Sequence, residues 1–190
     1  GEEILMTWRP AANLWNVKLD PTQIDQILAN LSVNARDAIT NVGEIILETH
    51  NVRIDAAYCS QHAEEADLGN YVMLLFSDDG CGMDAETLAK VFEPFFTTKK
   101  VGQGTGLGLS TVYGIVKQNL GFINLTSKLG KGTTFRIYLP STTEEMENNL
   151  SSSEKPEPRG HGETVLLVED SLSVRTMCEV YLKALGYTVL

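Results

Sequence analysis

The sequence predicts an α+β domain followed by the start of a doubly wound α/β domain. Segments with strand and helix patterns occupy the chain up to about residue 140. Residues 141–162 are then rich in Ser, Glu and Pro and show no periodicity, which is typical of a flexible linker. A strand–helix–strand pattern follows and stops at its second strand. We therefore expect a first domain over 1–140, a linker over 141–162 and a truncated second domain over 163–190.

Each element of the first domain is predicted from its composition and from its bordering residues. Asp20 followed by Pro21 combines an N-cap acceptor with proline at the first helical position, so a helix is expected from there to about Thr40. Segments rich in apolar and β-branched residues predict strands over 16–20, 44–54, 71–76, 122–126 and 133–139. Further helices are predicted over 84–91 and 107–118. Residues 56–69 and 97–105 are expected to be irregular, and the second of these stretches mobile.

The second domain is predicted as a β-α-β unit. A buried strand over Thr164–Val168 precedes a helix over Ser171–Leu185, and Tyr187–Leu190 begins the next strand. The strand is followed by two acids, Glu169 and Asp170.

Composition excludes several classes of protein. The 190 residues carry a formal net charge of -10, which disfavours nonspecific nucleic-acid binding because that binding relies on Lys and Arg. No apolar run reaches the roughly 20 residues needed to span a membrane. Three widely spaced cysteines do not predict a disulfide framework or a metal site, which favours a reducing, cytoplasmic location. We also expect further sequence upstream, and whether the full-length protein is membrane-anchored stays open.

The first helix carries a candidate site. Asn30, Asn34 and Asp37 follow a spacing of four and then three, which places them on one helical face. A neighbouring apolar face is formed by Ile24, Leu28, Leu31, Ala35 and Ala38. The polar face is either simply solvated or functional; asparagine has poor helix propensity, and its side-chain oxygen suits Mg²⁺.

Two glycine-containing loops supply further candidates. In 77–83 a strand delivers Asp78 into a turn with Gly80 and Gly82, where a carboxylate could accept a hydrogen bond from an exocyclic amine. An ordinary acidic turn is the alternative. In 102–109 a GxGxG pattern leads into a helix and favours anions, although it fits neither a Walker A nor a Rossmann loop.

A segment rich in phenylalanine, 92–99, lies between the two loops. It is interpreted as a hydrophobic lid in which Phe92 and Phe95 pack on the core, and Lys99 at its end is either merely exposed or able to reach a phosphate when the loop closes.

Taken in order, five motifs resemble those of histidine kinases in the GHKL superfamily. The motifs are the N box (30–38), the first glycine box (78–83), the F box (92–96), the second glycine box (104–109) and the third (130–135). The resemblance implies a Bergerat-type two-layer α/β sandwich, with a mixed sheet covered by helices on one face. It also implies ATP and Mg²⁺ as ligands.

The resemblance further implies a role for individual residues. Asn34 would ligate Mg²⁺ with Asn30 beside the phosphates, and Asp78 would bind the adenine amino group with help from Thr133 through water. The implied ATP-binding set is Asn30, Asn34, Asp37, Asp78, Gly80, Gly82, Met83, Phe96, Thr98, Lys99, Gly104, Thr105, Gly106, Leu107, Gly108 and Thr133.

One position favours a kinase over an ATPase. ATPases of this superfamily usually place a Glu that activates water four residues before the Mg²⁺-binding Asn, and here that position holds Asn30. We therefore expect γ-phosphoryl transfer to a histidine. A GHKL-type ATPase and a non-catalytic nucleotide-binding module remain the alternatives.

The second domain resembles a receiver, in which an acidic pair such as Glu169 and Asp170 holds Mg²⁺. The phosphoacceptor Asp expected after a third strand, and a histidine in dimerisation-helix context, are both missing; His50, His62 and His161 lack that context. The fragment is expected to be monomeric and inactive alone. One expected partner is its own upstream dimerisation and histidine-phosphotransfer domain, through which the full-length protein forms a homodimer. The other is a receiver or response-regulator domain, and no nucleic acid is expected.

Overall fold

The computed structural model describes residues 3–61, 67–99, 104–142, 160, 162–168 and 172–190. Contacts divide the chain into two compact units, Gly1–Glu144 and Glu145–Leu190. Among the described helices, none combines the length and the apolarity needed to cross a membrane.

The first unit is built on a six-stranded mixed sheet. Its strands are β1 (Glu3–Arg9), β2 (Asn16–Val17), β3 (Val42–Ile54), β4 (Gly69–Asp78), β5 (Phe122–Ser127) and β6 (Thr133–Thr142). Its helices are α1 (Pro21–Ala38), α2 (Ala56–Gln61), α3 (Ala85–Lys90) and α4 (Gly108–Gln118). The strands follow the order β1-β3-β4-β6, and β6 also pairs with β5 and β2. Among the described pairings of this sheet, β1–β3 alone is parallel, so the predicted mixed sheet is confirmed.

Helix α1 begins as its sequence predicts. Asp20 accepts a hydrogen bond from the Thr22 backbone N–H at 2.8 Å, and Pro21 occupies the first turn, where no intrahelical donor is needed. The helix ends at Ala38, because Ile39 adopts extended backbone while its N–H still donates to the Ala35 carbonyl.

The main core lies between α1, α4 and one face of the sheet. Its fully buried side chains come from all three parts: Ile27, Leu31, Phe76, Val112, Val116 and Ile137. Burying each such side chain contributes roughly 1.5–3 kcal/mol. Since Asp78 follows Phe76 at a strand spacing of two, the same face that forms the core delivers this carboxylate to its end.

The opposite face of the sheet is not bare, which corrects the expectation that helices cover one face alone. A second cluster of buried residues consists of Ile54, Tyr71, Phe122 and Tyr138. The rings of Phe122 and Tyr138 stack with centroids 4.3 Å apart, and Tyr58 and Cys59 of α2 pack against the cluster. Burial raises the pKa of the Tyr138 hydroxyl to about 12. Helix α2 falls in the stretch that was predicted to be irregular.

One strand was not predicted, and several strand boundaries differ from the predictions. Strand β1 was not predicted, because EILMTWR has no period-two alternation and Leu5, Met6 and Trp8 remain exposed on this edge strand. Strand β6 continues to Thr142, where it pairs with Asn16 of β2, so the predicted linker begins inside the sheet. Strand β2 itself is shorter than predicted.

The second unit contains β7 (Thr164–Val165), α5 (Leu172–Ala184) and β8 (Thr188–Val189). The two strands pair in parallel, as the predicted β-α-β pattern requires. Gly160, which was placed in the predicted linker, donates its N–H to the Leu185 carbonyl at 2.8 Å. The acidic pair Glu169 and Asp170 lies outside the described residues, as do His62, His161 and residues 100–103.

Candidate functional site

A cavity of about 790 Å³ opens between α1, the loop after β4 and the start of α4. Almost all of the predicted ATP-binding residues line it: Asn30, Asn34, Asp37, Asp78, Gly82, Met83, Phe96, Thr98, Lys99, Gly104, Thr105, Gly106, Leu107, Gly108 and Thr133. This volume matches the range of pockets that hold drug-sized ligands. Residues that are more than 100 positions apart in sequence thus share one concave surface.

Gly80 is the predicted site residue that does not line the cavity. Its N–H donates to the Asp78 carboxylate at 2.9 Å, and a Cβ there would lie 2.8 Å from the Ala38 Cβ. Gly80 therefore fits the loop tightly behind the cavity, against the end of α1. Sequence reasoning did not single out several other residues of the cavity wall. Thr87 and Val91 lie outside the five motifs, whereas Cys81 and Phe135 lie within the first and third glycine boxes but were assigned no role.

The two asparagines of α1 face the start of α4. Asn30 donates its Nδ2 to the Gln26 carbonyl at 2.9 Å, which leaves Oδ1 directed at the next element. A Cβ on Gly108 would lie 3.0 Å from that Oδ1 and 3.8 Å from Nδ2 of Asn34. A glycine at position 108 thus keeps open the space between the amide side chains and helix α4.

Asp37, one turn further along α1, lies between two cations. Its carboxylate accepts hydrogen bonds from Lys99 at 2.5 Å and from Arg36 at 2.9 Å. The hydrogen bond from Lys99 is the main reason why the pKa of Asp37 lies below its usual value. Burial opposes this effect, and the hydrogen bond from Arg36 adds a smaller lowering of its own. The lysine of the F-box segment is therefore attached to the N-box helix through Asp37.

Asp78 is the buried carboxylate of the cavity, with 7% of its surface exposed. Burial raises its pKa above the usual 3.8, while hydrogen bonds from the backbone N–H groups of Gly80 and Thr133 partly offset this effect. A buried carboxylate fixed by two backbone donors presents its remaining acceptor capacity to a ligand.

The loop after β4 interlocks with the β5–β6 turn through glycines. Gly82 has φ +66°, and a Cβ there would overlap the Lys128 carbonyl. Gly132 has φ +82°, and a Cβ there would overlap the Asp78 carbonyl. The Gly130 N–H donates to the Cys81 carbonyl at 2.7 Å. Only glycine permits this approach of the two backbones beside Asp78.

A hydroxyl network lies at the same junction. Ser127, at the end of β5, receives the Met83 N–H at 2.8 Å and donates to the Gly132 carbonyl at 3.0 Å. Its oxygen also lies 2.9 Å from Oγ1 of Thr133, which is 6% exposed. Sequence analysis missed Ser127, because a serine at a strand end gives no signal until the turn brings it beside Met83.

Among the described residues, no side chain caps the start of α4. The N-terminal turns of α1 and α3 are capped by Asp20 and Asp84, whereas Leu107 at the N-cap of α4 makes no side-chain hydrogen bond. The first backbone N–H groups of a helix have no intrahelical partner and favour anions. This end of α4 lies at the cavity beside Asn30.

The F-box segment is attached to the second glycine box by its backbone. The Phe95 N–H donates to the Gly106 carbonyl at 2.9 Å, and a Cβ on Gly106 would overlap the Phe95 backbone. Phe95 itself has φ +67° and an exposed ring, so the side chain that was predicted to pack on the core does not do so. Phe92 packs partly on the core, as predicted.

Oxygen ligands are present for a hard cation. The amides of Asn30 and Asn34 and the carboxylate of Asp37 all border the cavity. Mg²⁺ prefers such oxygens and usually takes only one or two of them from protein, completing its shell with water and phosphate. In the described part of the chain, no three His, Cys, Asp or Glu side chains converge on a metal position.

Comparison with known proteins agrees with this geometry. The family of "Histidine kinase-, DNA gyrase B-, and HSP90-like ATPase" matches residues 19–143. The chain therefore belongs to that family. It contains the ATP-binding catalytic domain of the sensor histidine kinase type.

Three similar proteins illustrate the relationship. Sensor kinase CckA of Brucella abortus (strain 2308) is 45% identical over 100% of this chain and 21% of its own length. Sensor histidine kinase ZraS of Escherichia coli (strain K12) is 37% identical over 74% of this chain and 26% of its own length. The solved catalytic domain of histidine kinase ThkA superposes with a TM-score of 0.56 and 28% identity, covering 73% of this chain and 81% of that domain. The chain thus spans about a fifth to a quarter of the two full-length relatives.

Proposed function

We propose that this domain binds Mg-ATP and positions its γ-phosphoryl group for transfer to a histidine in an upstream dimerisation domain. The observation that carries the proposal is the pair Asn30 and Asn34 on α1, which face the uncapped start of α4 across the cavity. Phosphoryl transfer depends mainly on positioning and charge stabilisation, and these elements supply both.

Asp78 would bind the adenine base. Its ionised carboxylate accepts a hydrogen bond from the exocyclic amine, and Thr133 assists through a water molecule. The burial of Asp78, at 7% exposure, supports this role because a charge-assisted hydrogen bond is stronger away from bulk water.

The phosphates would lie between α1 and the start of α4. The free N–H groups of α4 donate to phosphate oxygens, and glycines 104, 106 and 108 let the backbone come close. Lys99 would neutralise the terminal phosphate. Its Nζ now contacts Asp37, so it exchanges a carboxylate for a phosphate when nucleotide binds.

Asn34 would hold Mg²⁺ through its side-chain oxygen, with Asn30 beside the phosphates. When bound, the ion neutralises negative charge on the phosphate oxygens. The amide oxygens fit this hard cation, and they remain neutral and available across the physiological pH range.

Asn30 supports a kinase rather than an ATPase. Its Nδ2 is engaged with the Gln26 carbonyl, and an amide cannot remove a proton from water near neutral pH. The site therefore has no general base at this position for hydrolysis. Transfer then waits for an acceptor side chain supplied from outside this domain.

The second unit would be the beginning of a receiver, which would make the full-length protein a hybrid phosphorelay kinase. Its parallel β-α-β arrangement supports this, as does the alignment of the CckA sequence along the whole chain. We propose the same division as the sequence suggests, namely 1–140, 141–162 and 163–190, with β6 extending two residues into the linker. Glu169 and Asp170 would hold Mg²⁺ in the receiver.

The partners would be the protein's own upstream domain and a receiver or response regulator. The full-length protein would be a homodimer that acts on the cytoplasmic side, while the present chain alone would be a monomer.

The proposal is tested in a longer protein that includes the upstream residues. Incubation with γ-labelled ATP and Mg²⁺ should give an acid-labile, base-stable phosphoprotein, as expected for phosphohistidine. Asn34→Ala should abolish the label, whereas Ser77→Ala, on the far face of the sheet from Asp78, should retain it. Steady phosphate release without labelled protein would instead indicate an ATPase. Absence of saturable Mg-ATP binding would overturn both readings.

A further inference from the structure

The hydroxyl of Ser127 has one proton and three polar neighbours. Met83 N–H donates to its Oγ at 2.8 Å, the Gly132 carbonyl lies 3.0 Å away, and Thr133 Oγ1 lies 2.9 Å away. A carbonyl can only accept, so the Ser127 proton satisfies that contact. The remaining contact is then satisfied only if the Thr133 hydroxyl donates to Ser127.

The reverse arrangement satisfies fewer contacts. If Ser127 donated to Thr133, the 3.0 Å contact between its oxygen and the Gly132 carbonyl would have no proton. Two oxygen acceptors would then face each other in a half-buried position, which is unfavourable. Among the described residues, the Thr133 hydroxyl has only Ser127 as a partner within the protein.

We infer that Ser127 orients the Thr133 hydroxyl so that it presents only lone pairs to the bound base and to the water that bridges them, and that this adds to the preference of Asp78 for a purine with a donor at position 6. This inference deepens the proposed function and rests on it. Asp78, when ionised, is also acceptor-only, and the β4–β6 register places it directly across from Thr133. Two acceptors side by side favour an exocyclic amine and repel a carbonyl oxygen. Ser127 is thus a positioning residue that acts on base specificity through Thr133.

Inosine triphosphate is the appropriate probe, because it replaces the exocyclic amine of ATP by a carbonyl oxygen and leaves ribose and phosphates unchanged. The affinities of the 190-residue chain for ATP and for inosine triphosphate are measured with Mg²⁺ by calorimetry. Wild type should prefer ATP strongly. Ser127→Ala should reduce the ratio of the two affinities by about five- to tenfold, because the released Thr133 hydroxyl can now donate.

Three further variants make the result specific. Ser127→Thr keeps the hydroxyl and should restore the wild-type ratio. In a Thr133→Val background, Ser127→Ala should leave the ratio unchanged, because the hydroxyl on which it acts is gone. Ser77→Ala is the matched control, because Ser77 of β4 and Thr134 of β6 form the same kind of hydroxyl pair, 2.7 Å apart. This pair lies one residue along from Asp78 and Thr133, on the opposite face of the sheet.

The possible outcomes distinguish a failure of the inference about Ser127 from a failure of the proposed function. If Ser127→Ala weakens both nucleotides equally and leaves their ratio unchanged, Ser127 only supports the loop at Met83 and the inference is wrong. If Ser127→Ala does not fold, Ser127→Cys keeps the volume with a poor acceptor and should shift the ratio in the same direction. A wild-type chain that bound neither nucleotide would overturn both the inference and the proposed function.

Discussion

The two sides of the nucleotide cavity are constructed differently. On the sheet side, Asp78 and Thr133 are buried at the ends of paired strands and are fixed by backbone contacts. On the helix side, Asn30, Asn34 and Asp37 project from one face of α1. Asn30 donates to the Gln26 carbonyl of the same helix, and Asp37 is paired with the side chains of Lys99 and Arg36. The sheet side is therefore suited to recognising a rigid base. The helix side can exchange partners, as phosphate binding requires.

The difference also appears in the electrostatics. Burial raises the pKa of Asp78, whereas the hydrogen bond from Lys99 lowers that of Asp37. A charge on the sheet side is thus destabilised until a ligand compensates it. A charge on the helix side already has a compensating cation, which a phosphate can take over.

The largest effect is expected from breaking the backbone contact on the sheet side. Gly132→Ala would place a Cβ against the Asp78 carbonyl at φ +82°, and should lower the free energy of unfolding by roughly 3–5 kcal/mol. Gly130→Ala is the matched control, since Gly130 has φ +72° but no atom within 4 Å of its Cβ, and should lose only about 1 kcal/mol. Urea denaturation measures the free energy of unfolding of both variants. Equal losses would show that the close contact between Gly132 and the Asp78 carbonyl adds nothing beyond backbone strain.

A second prediction concerns the charge on Asp78. Asp78→Asn should weaken ATP binding by roughly 10- to 100-fold, because it replaces a charged acceptor by an amide that also carries donors. Calorimetric titration with Mg-ATP measures the change. An affinity within twofold of wild type would exclude Asp78 as the base-binding residue.

The raised pKa of Asp78 predicts opposite pH effects on binding and stability. Between the usual value of 3.8 and the raised value, the folded protein binds this proton more than the unfolded chain does. As pH falls through that window, Asp78 should therefore add to the stability of the nucleotide-free protein while ATP affinity declines. The comparison is wild type against Asp78→Asn, measured by thermal unfolding and by ATP titration across pH. Parallel curves for the two proteins would contradict the prediction.

The smallest effect is expected on the helix side. Asp37→Asn removes an exposed ion pair, so stability should change by only about 0.5 kcal/mol. ATP affinity should rise by about two- to fivefold, because an anion near the phosphates is removed and Lys99 is released. Glu179→Gln, which breaks the exposed pair with Lys183 in α5, is the control and should leave ATP affinity unchanged. A loss of affinity in Asp37→Asn would mean that Asp37 holds Lys99 in its working position.

Local features of the fold could be predicted from the sequence. The start of α1 follows from Asp20 and Pro21, and that of α3 from Asp84, whose carboxylate accepts the Thr87 N–H at 2.8 Å. Strand β1 and helix α2 could not be predicted, because they depend on partners remote in sequence. Glu3–Arg9 is a strand because β3 pairs with it, and α2 packs through Tyr58 on the far face of the sheet.

The same division applies to the site. Sequence by itself determined which residue types are available: the asparagines of α1, the carboxylate of Asp78 and the glycines of three loops. Only the tertiary structure decided what each of them contacts. It attached Lys99 to Asp37, turned Gly80 away from the cavity and placed Ser127 beside Met83 and Thr133. Hydrogen bonds depend on distance and direction between atoms, and a spacing along the chain specifies neither once the partners lie on different elements.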